Sequence, residues 1–392
     1  MAHTWRMIRA NQPTTPSARV TTFELFFDLV FVLTITRLTG VLHHEPDLIG
    51  LLTVLLILAN IWWMYSGYSW VTSNTGTSTV ARRVLLLVAM GGFLVMAIAA
   101  PNAFGDDGLA FGLAYLVVVV VHLVLFAFTF PRGRALREVL QVAPYNLASA
   151  VLLIIAGFVD GAADWWLWGA AAALHVVLLE FGRYRSFPLS QAHFVERNGV
   201  VLIVALGESM VSLSLGLGDQ AVSPAMLLAA LLSLVLAACL WSLYFLDADE
   251  AAQRTLEAAA PETRLRIAGL AYSYAFVPLL AGIVMISSGL TEVLAHPLEH
   301  LPPAGAAFLA GGAIFYILGI AAFRQSVSAA GGRVWVLSIT AAAACIVAFW
   351  LGTAVTAVAE VAGLAVVLFA LAITTRRVRA DIDLVSAANS AA

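Results

Sequence analysis

With 392 residues, 62% of them hydrophobic and only 11% charged, this chain cannot give itself the polar surface that a water-soluble fold requires. A net charge of −3 without a basic patch excludes nucleic acid as a partner. The two cysteines, Cys239 and Cys345, lie inside apolar runs, which argues against a disulfide framework or a thiolate metal site.

In chain order, residues 1–20 are polar, carry Arg6, Arg9 and Arg19, and lack the apolar core of a cleaved signal peptide. A helix needs about 20 apolar residues to cross a bilayer. The sequence predicts twelve such spans: 22–42, 49–69, 84–104, 109–130, 139–159, 165–183, 195–217, 223–246, 266–290, 304–323, 334–352 and 354–375. The expected fold is therefore all-α, a polytopic membrane helical bundle whose partner is the lipid bilayer. Nineteen of the 20 basic residues, all Arg, fall at the two ends or in every second connection, among them Arg82, Arg83, Arg132, Arg134, Arg183, Arg254, Arg324 and Arg333. That asymmetry predicts both termini in the cytoplasm, in a bacterial cytoplasmic (inner) membrane. Arg37 is the exception.

Helices 1–6 and 7–12 read as two parallel six-helix repeats, residues 21–186 and 187–376, with a C-terminal tail at 377–392. Phe23-Glu24 aligns with Val195-Glu196, and Trp62-Trp63-Met64-Tyr65 with Trp241-Ser242-Leu243-Tyr244. The charge pattern repeats after six helices, which gives both halves the same orientation.

Ionisable groups inside a span are costly and usually face the bundle interior. They concentrate in helices 1 and 7: Glu24, Asp28 and Arg37, then Glu196, Arg197 and Glu208 with Ser209. Glu24 and Asp28 are four apart and share a helix face. At 1.5 Å per residue, Glu24 lies about 3 Å into its span, Asp28 about 9 Å and Arg37 about 22 Å; Arg197 lies about 3 Å in and Glu208 about 20 Å. Opposite charges match at two depths. Arg197 is expected to pair with Glu24 or Asp28, and Arg37 with Glu208. Such pairs are either static locks between two helices or part of a substrate, ion or proton pathway, with Asp28 the foremost proton carrier.

His122, His175, Asn60 and Asn146 read as packed or interhelically bonded groups, and Trp62, Trp63, Trp70, Trp165, Trp166 and Trp168 as interfacial belts. Glu360 either lines a cavity or snorkels to the outer surface. No nucleotide loop, nucleophile elbow or zinc-protease motif is present, so no cofactor, catalytic residue or metal is expected.

Glu24-Leu-Phe-Phe-Asp28-Leu-Val-Phe-Val, with Glu196-Arg197-Asn-Gly and Gly207-Glu208-Ser209, resembles the bacterial low temperature requirement A (LtrA) family over Arg19 to Arg379. That resemblance implies a multi-pass membrane protein and marks those residues as motif positions. Phe26-Phe27-Asp28 is also similar to a motif of endosomal potassium channels, although Thr22 stands where those channels have Arg, and Val200 where their second half has Asp. The functional expectation is a secondary transporter of a small solute or ion, proton-linked. An ion channel and a membrane enzyme acting on a lipid-like substrate are the alternatives, and a homo-oligomer is compatible with each.

Overall fold

The computed structural model describes residues 20–75, 79–129, 134–181, 189–217, 222–327 and 331–391. Arg6, Arg9, Arg19, Arg132, Arg183 and Arg185 lie outside the described residues, as do the side chains of Arg134, Arg137 and Arg379. Among the described residues every regular element is a helix. A backbone in hydrocarbon must bond within its own segment, and a helix does so.

The helices are α1 (Thr22–His44), α2 (Leu48–Thr75), α3 (Val80–Ala99), α4 (Gly108–Thr129), α5 (Arg134–Ala156), α6 (Ala162–Phe181), α7 (Gln191–Leu217) and α8 (Pro224–Phe245). Two short ones, α9 (Ala248–Ala258) and α10 (Pro261–Ala268), precede α11 (Phe276–Ala295), α12 (Pro303–Val327), α13 (Gly331–Ala354) and α14 (Ala357–Ala391). Their starts follow from local chemistry. The Thr79 and Ser223 hydroxyls accept the Arg82 and Met226 N–H groups, and Pro224 opens α8 where no N–H is needed. Between α10 and α11 the chain makes a wide π turn at Gly269–Tyr274, with the Ala275 N–H reaching Leu270 O at 3.1 Å. Pro278 cannot donate to Tyr274 four residues back, and the turn widens just ahead of it.

Among the described residues nine helical stretches are long and apolar enough to cross a membrane, and two shorter apolar ones lie at Leu140–Ala156 and Ala162–Leu178. The protein is a multi-pass membrane protein. The break between the last two expected spans falls at Val355-Thr356.

The chain divides into two compact units. In unit 1 (residues up to Val41, Leu48–Val204 and Glu257–Gly269), α3, α4, α5 and α6 each pack on the next, and α2 packs on α4 and α6. In unit 2 (Leu42–Asp47, Ala205–Leu256 and Leu270 onward), α11 to α14 each pack on the next, and α8 packs on α11, α12 and α14. Small residues allow these approaches, as dispersion packing in lipid demands. A Cβ on Gly112 of α4 would sit 2.8 Å from the Ile154 backbone of α5. One on Gly282 of α11 would sit 2.8 Å from the Tyr316 nitrogen of α12.

Trp62 and Trp168 are fully buried and belong to the core, not to an interfacial belt. The reason is helix length: α2 continues to Thr75, so Trp62 lies mid-helix, stacked on Tyr65 with ring centroids 5.5 Å apart. Asn146 does bond between helices, accepting the Trp63 indole N–H at 2.9 Å, whereas Asn60 donates to Leu56 O of its own helix. Arg324 in the last turn of α12 is buried and donates to Leu243 O at 2.8 Å and to the Asp247 carboxylate at 2.9 Å.

Gly112→Ala should push α4 from α5 and destabilise the purified protein by about 1–3 kcal/mol. Gly91→Ala, where nothing lies within 4 Å, should be neutral or stabilising by up to about 1 kcal/mol. Thermal unfolding in detergent checks both.

Candidate functional site

The N-terminus of α1 is fixed by a capping box, Thr21-Thr22-Phe23-Glu24. The Glu24 N–H donates to the Thr21 hydroxyl at 3.3 Å, while Glu24 Oε2 accepts the Thr21 N–H at 2.9 Å and its hydroxyl at 2.8 Å. Asp28 follows one turn on. Both acids are 1% exposed, a burial that an ionised carboxylate tolerates only beside a cation.

The cation is Arg197 of α7, itself 0% exposed. Its guanidinium lies 2.9 Å from Glu24 Oε1 and 3.4 Å from Asp28 Oδ1, and it donates to the Thr72 hydroxyl of α2 at 2.6 Å. The Phe27 and Tyr65 rings lie 5.6 and 6.0 Å from its centre, which adds cation–π attraction. The Tyr65 hydroxyl donates to Asp28 Oδ1. His193, one turn before Arg197, places Nε2 3.2 Å from Glu24 Oε2 and Nδ1 3.2 Å from the Ser73 hydroxyl. Asn198 beside it bonds Phe194 O at 2.8 Å and approaches the Ser69 hydroxyl at 3.4 Å. Asp28 Oδ2 and Arg197 Nε have no hydrogen-bond partner.

Above this cluster Phe27, Phe31, Tyr65, Tyr68 and Phe93 form an aromatic layer, with ring centroids 4.7 to 6.3 Å apart. All five are buried.

Two carboxylates thus face one permanent cation, with an imidazole touching one of them. A buried net charge costs several kcal/mol. Two carboxylates against one guanidinium leave one negative charge over.

The structure brings together Glu24, Asp28 and Arg197 of the sequence-predicted residues. Glu196 is exposed and accepts the Val20 N–H at 3.3 Å, and Arg37 is exposed. Glu208 and Ser209 are buried, and the Ser209 hydroxyl lies 3.1 Å from that of Ser287 in unit 2. Tyr65, Thr72, Ser73 and His193 were not singled out from the sequence. Their signal is spacing: His193 and Arg197 are four apart, and Tyr65 and Thr72 seven apart, so each pair shares a helix face. His122 and His175 are core groups, His175 stacked on Trp63 and 3.2 Å from the Tyr115 hydroxyl.

The model of a family described as bacterial low temperature requirement A protein (LtrA) matches residues 19–373. The chain belongs to the LtrA family. The matched stretch includes every residue of the ion cluster. An uncharacterized protein of Rhizobium meliloti (strain 1021) is 28% identical to this LtrA chain over 312 residues, 76% of this chain and 75% of the relative. No solved structure matches it.

Arg197→Gln should leave two acids of this LtrA protein buried against no fixed cation and destabilise it by about 3–5 kcal/mol. Adding Glu24→Gln to that variant should recover part of the loss. Detergent melting curves of the two variants, compared with wild type, check the order.

Proposed function

We propose that this LtrA-family protein is a secondary transporter of a small solute or ion, driven by protons that bind in the Glu24–Asp28–Arg197–His193 cluster. The observation that carries this reading is the cluster's charge count: two buried acids share one guanidinium, and one bound proton would balance them. Protonating a second acid would loosen its hold on Arg197. A freed guanidinium is a fork that fits a carboxylate or phosphate, so anionic solutes are the first to try.

The reading includes twelve spans, α1 to α8 and α11 to α14, in two parallel six-helix repeats, with both termini in the cytoplasm of a bacterial inner membrane. Three features support it. The contacts α3–α4–α5–α6 with α2 on α4 and α6 have a similar order to α11–α12–α13–α14 with α8 on α12 and α14, although α8 also packs on α11. The later helices keep step, starting at 108, 134 and 162 in one unit and at 303, 331 and 357 in the other. Nineteen of 20 Arg fall on one side of the predicted spans.

A fixed ion lock is the competing reading, and the near-complete burial of the cluster favours it. Flux separates the two. Protein in liposomes loaded with a pH-sensitive dye is challenged with a panel of small anionic, neutral and cationic solutes under an imposed pH gradient. Solute-dependent proton movement in wild type, lost in Asp28→Asn, is expected. Equal movement in both would remove the proton role, and a steady solute-independent conductance in planar bilayers would indicate a channel.

A further inference from the structure

Unit 2 holds a carboxyl that the ion cluster does not use. Glu360 lies in the first turn of α14 and is 0% exposed, so it does not snorkel to the surface. Neither of its carboxyl oxygens has a hydrogen-bond partner. Among the described residues no ion pair includes it.

A helix N-terminus ordinarily offers N–H groups and a positive dipole end to a carboxylate. Here the N–H groups are taken. Ala357 donates to Glu299 O at 2.8 Å and Val358 to Pro297 O at 3.1 Å. Ala359 donates to Thr356, at 3.1 Å to its carbonyl and 3.2 Å to its hydroxyl, and Glu360 reaches Thr356 O at 3.4 Å. The carboxyl instead presses on Gly352 near the end of α13, where a Cβ would overlap Glu360 Oε2. The groups facing it are the Cys345 thiol of α13 and the Ala310 backbone of α12. An ionised carboxylate in such a pocket would lose its hydration with no cation beside it and only the Ala310 backbone in return, so the neutral acid is the form that fits.

One solvent-facing segment is bonded to the backbone around this carboxyl. Pro297–Leu301, between α11 and α12, carries the two carbonyls that hold the start of α14, and Leu301 N–H donates to Gly352 O at 3.0 Å. Its middle is open to solvent: Leu298 is 63% exposed, and Glu299 and His300 are exposed. Unit 1 has a counterpart in Asp164, in the first turn of α6, buried with Oδ1 unpartnered.

We propose that Glu360 is a proton-binding site: a carboxylic acid at neutral pH that exchanges its proton with solvent past the Pro297–Leu301 strap. The site stands on unit 2 alone and does not rest on the transporter reading.

The test is infrared difference spectroscopy of the purified full chain in lipid nanodiscs at neutral pH, wild type against Glu360→Gln, in H2O and in D2O. The expected result is a carboxylic-acid C=O band present in wild type, absent from the variant and shifted by D2O. In Glu360→Asp the band should move and not vanish; circular dichroism and the melting transition confirm that both variants fold. Carboxylate bands in place of the acid band would overturn the protonated state. An acid band that never shifts in D2O would overturn the exchange and leave a sealed structural acid.

Discussion

A guanidinium with no exposed surface must be neutralised where it lies, and Arg197 is met there by Glu24, Asp28, Thr72 and two aromatic faces. Removing charge from water is unfavourable, and the mutual attraction offsets that only when the remaining hydrogen bonds are made. This constraint ties three elements of unit 1 together: the capped start of α1, the hydroxyl-bearing end of α2 and the first turns of α7. The capping box does two jobs with one residue, since Glu24 closes the α1 terminus through Oε2 and binds Arg197 through Oε1. His193 joins the same carboxylate, so the helix start, the ion pair and the imidazole are coupled in one network.

The helices were legible because lipid selects on composition: long apolar runs separated by Arg-bearing connections. The Arg197 pairing was legible too, because opposite charges at matched depths in two helices have few other ways to be satisfied. What the sequence concealed was lateral. Nothing in the apolar α2 pattern distinguishes Tyr65, Thr72 and Ser73 from other polar residues of that helix, and their role appears only when α2 lies beside α1 and α7. Trp62 is a core residue and not an interfacial one because its helix continues to Thr75, beyond the apolar run that ends at 69.

Buried acids are held in two ways. Glu24 and Asp28 are balanced by a fixed cation, whereas Glu360 and Asp164 keep carboxyl oxygens without hydrogen-bond partners in first turns of helices. The first arrangement suits a site that changes partners as protons come and go, the second one that holds a proton. Glycine contributes to both the packing and the acid site: Gly112 and Gly282 let helices approach, and Gly352 gives the Glu360 carboxyl its space.

Proton-driven transport at the Arg197 cluster requires that it open to water during a working cycle and not be a permanent seal. The direct measurement is thiol accessibility. Ser73→Cys, beside His193, is introduced after Cys239 and Cys345 are replaced by Ala, and an impermeant thiol reagent is applied to right-side-out and inverted vesicles across pH. Labelling from one face, at a rate that changes with pH, is the predicted result. No labelling from either face at any pH would contradict the account and leave the cluster a static lock.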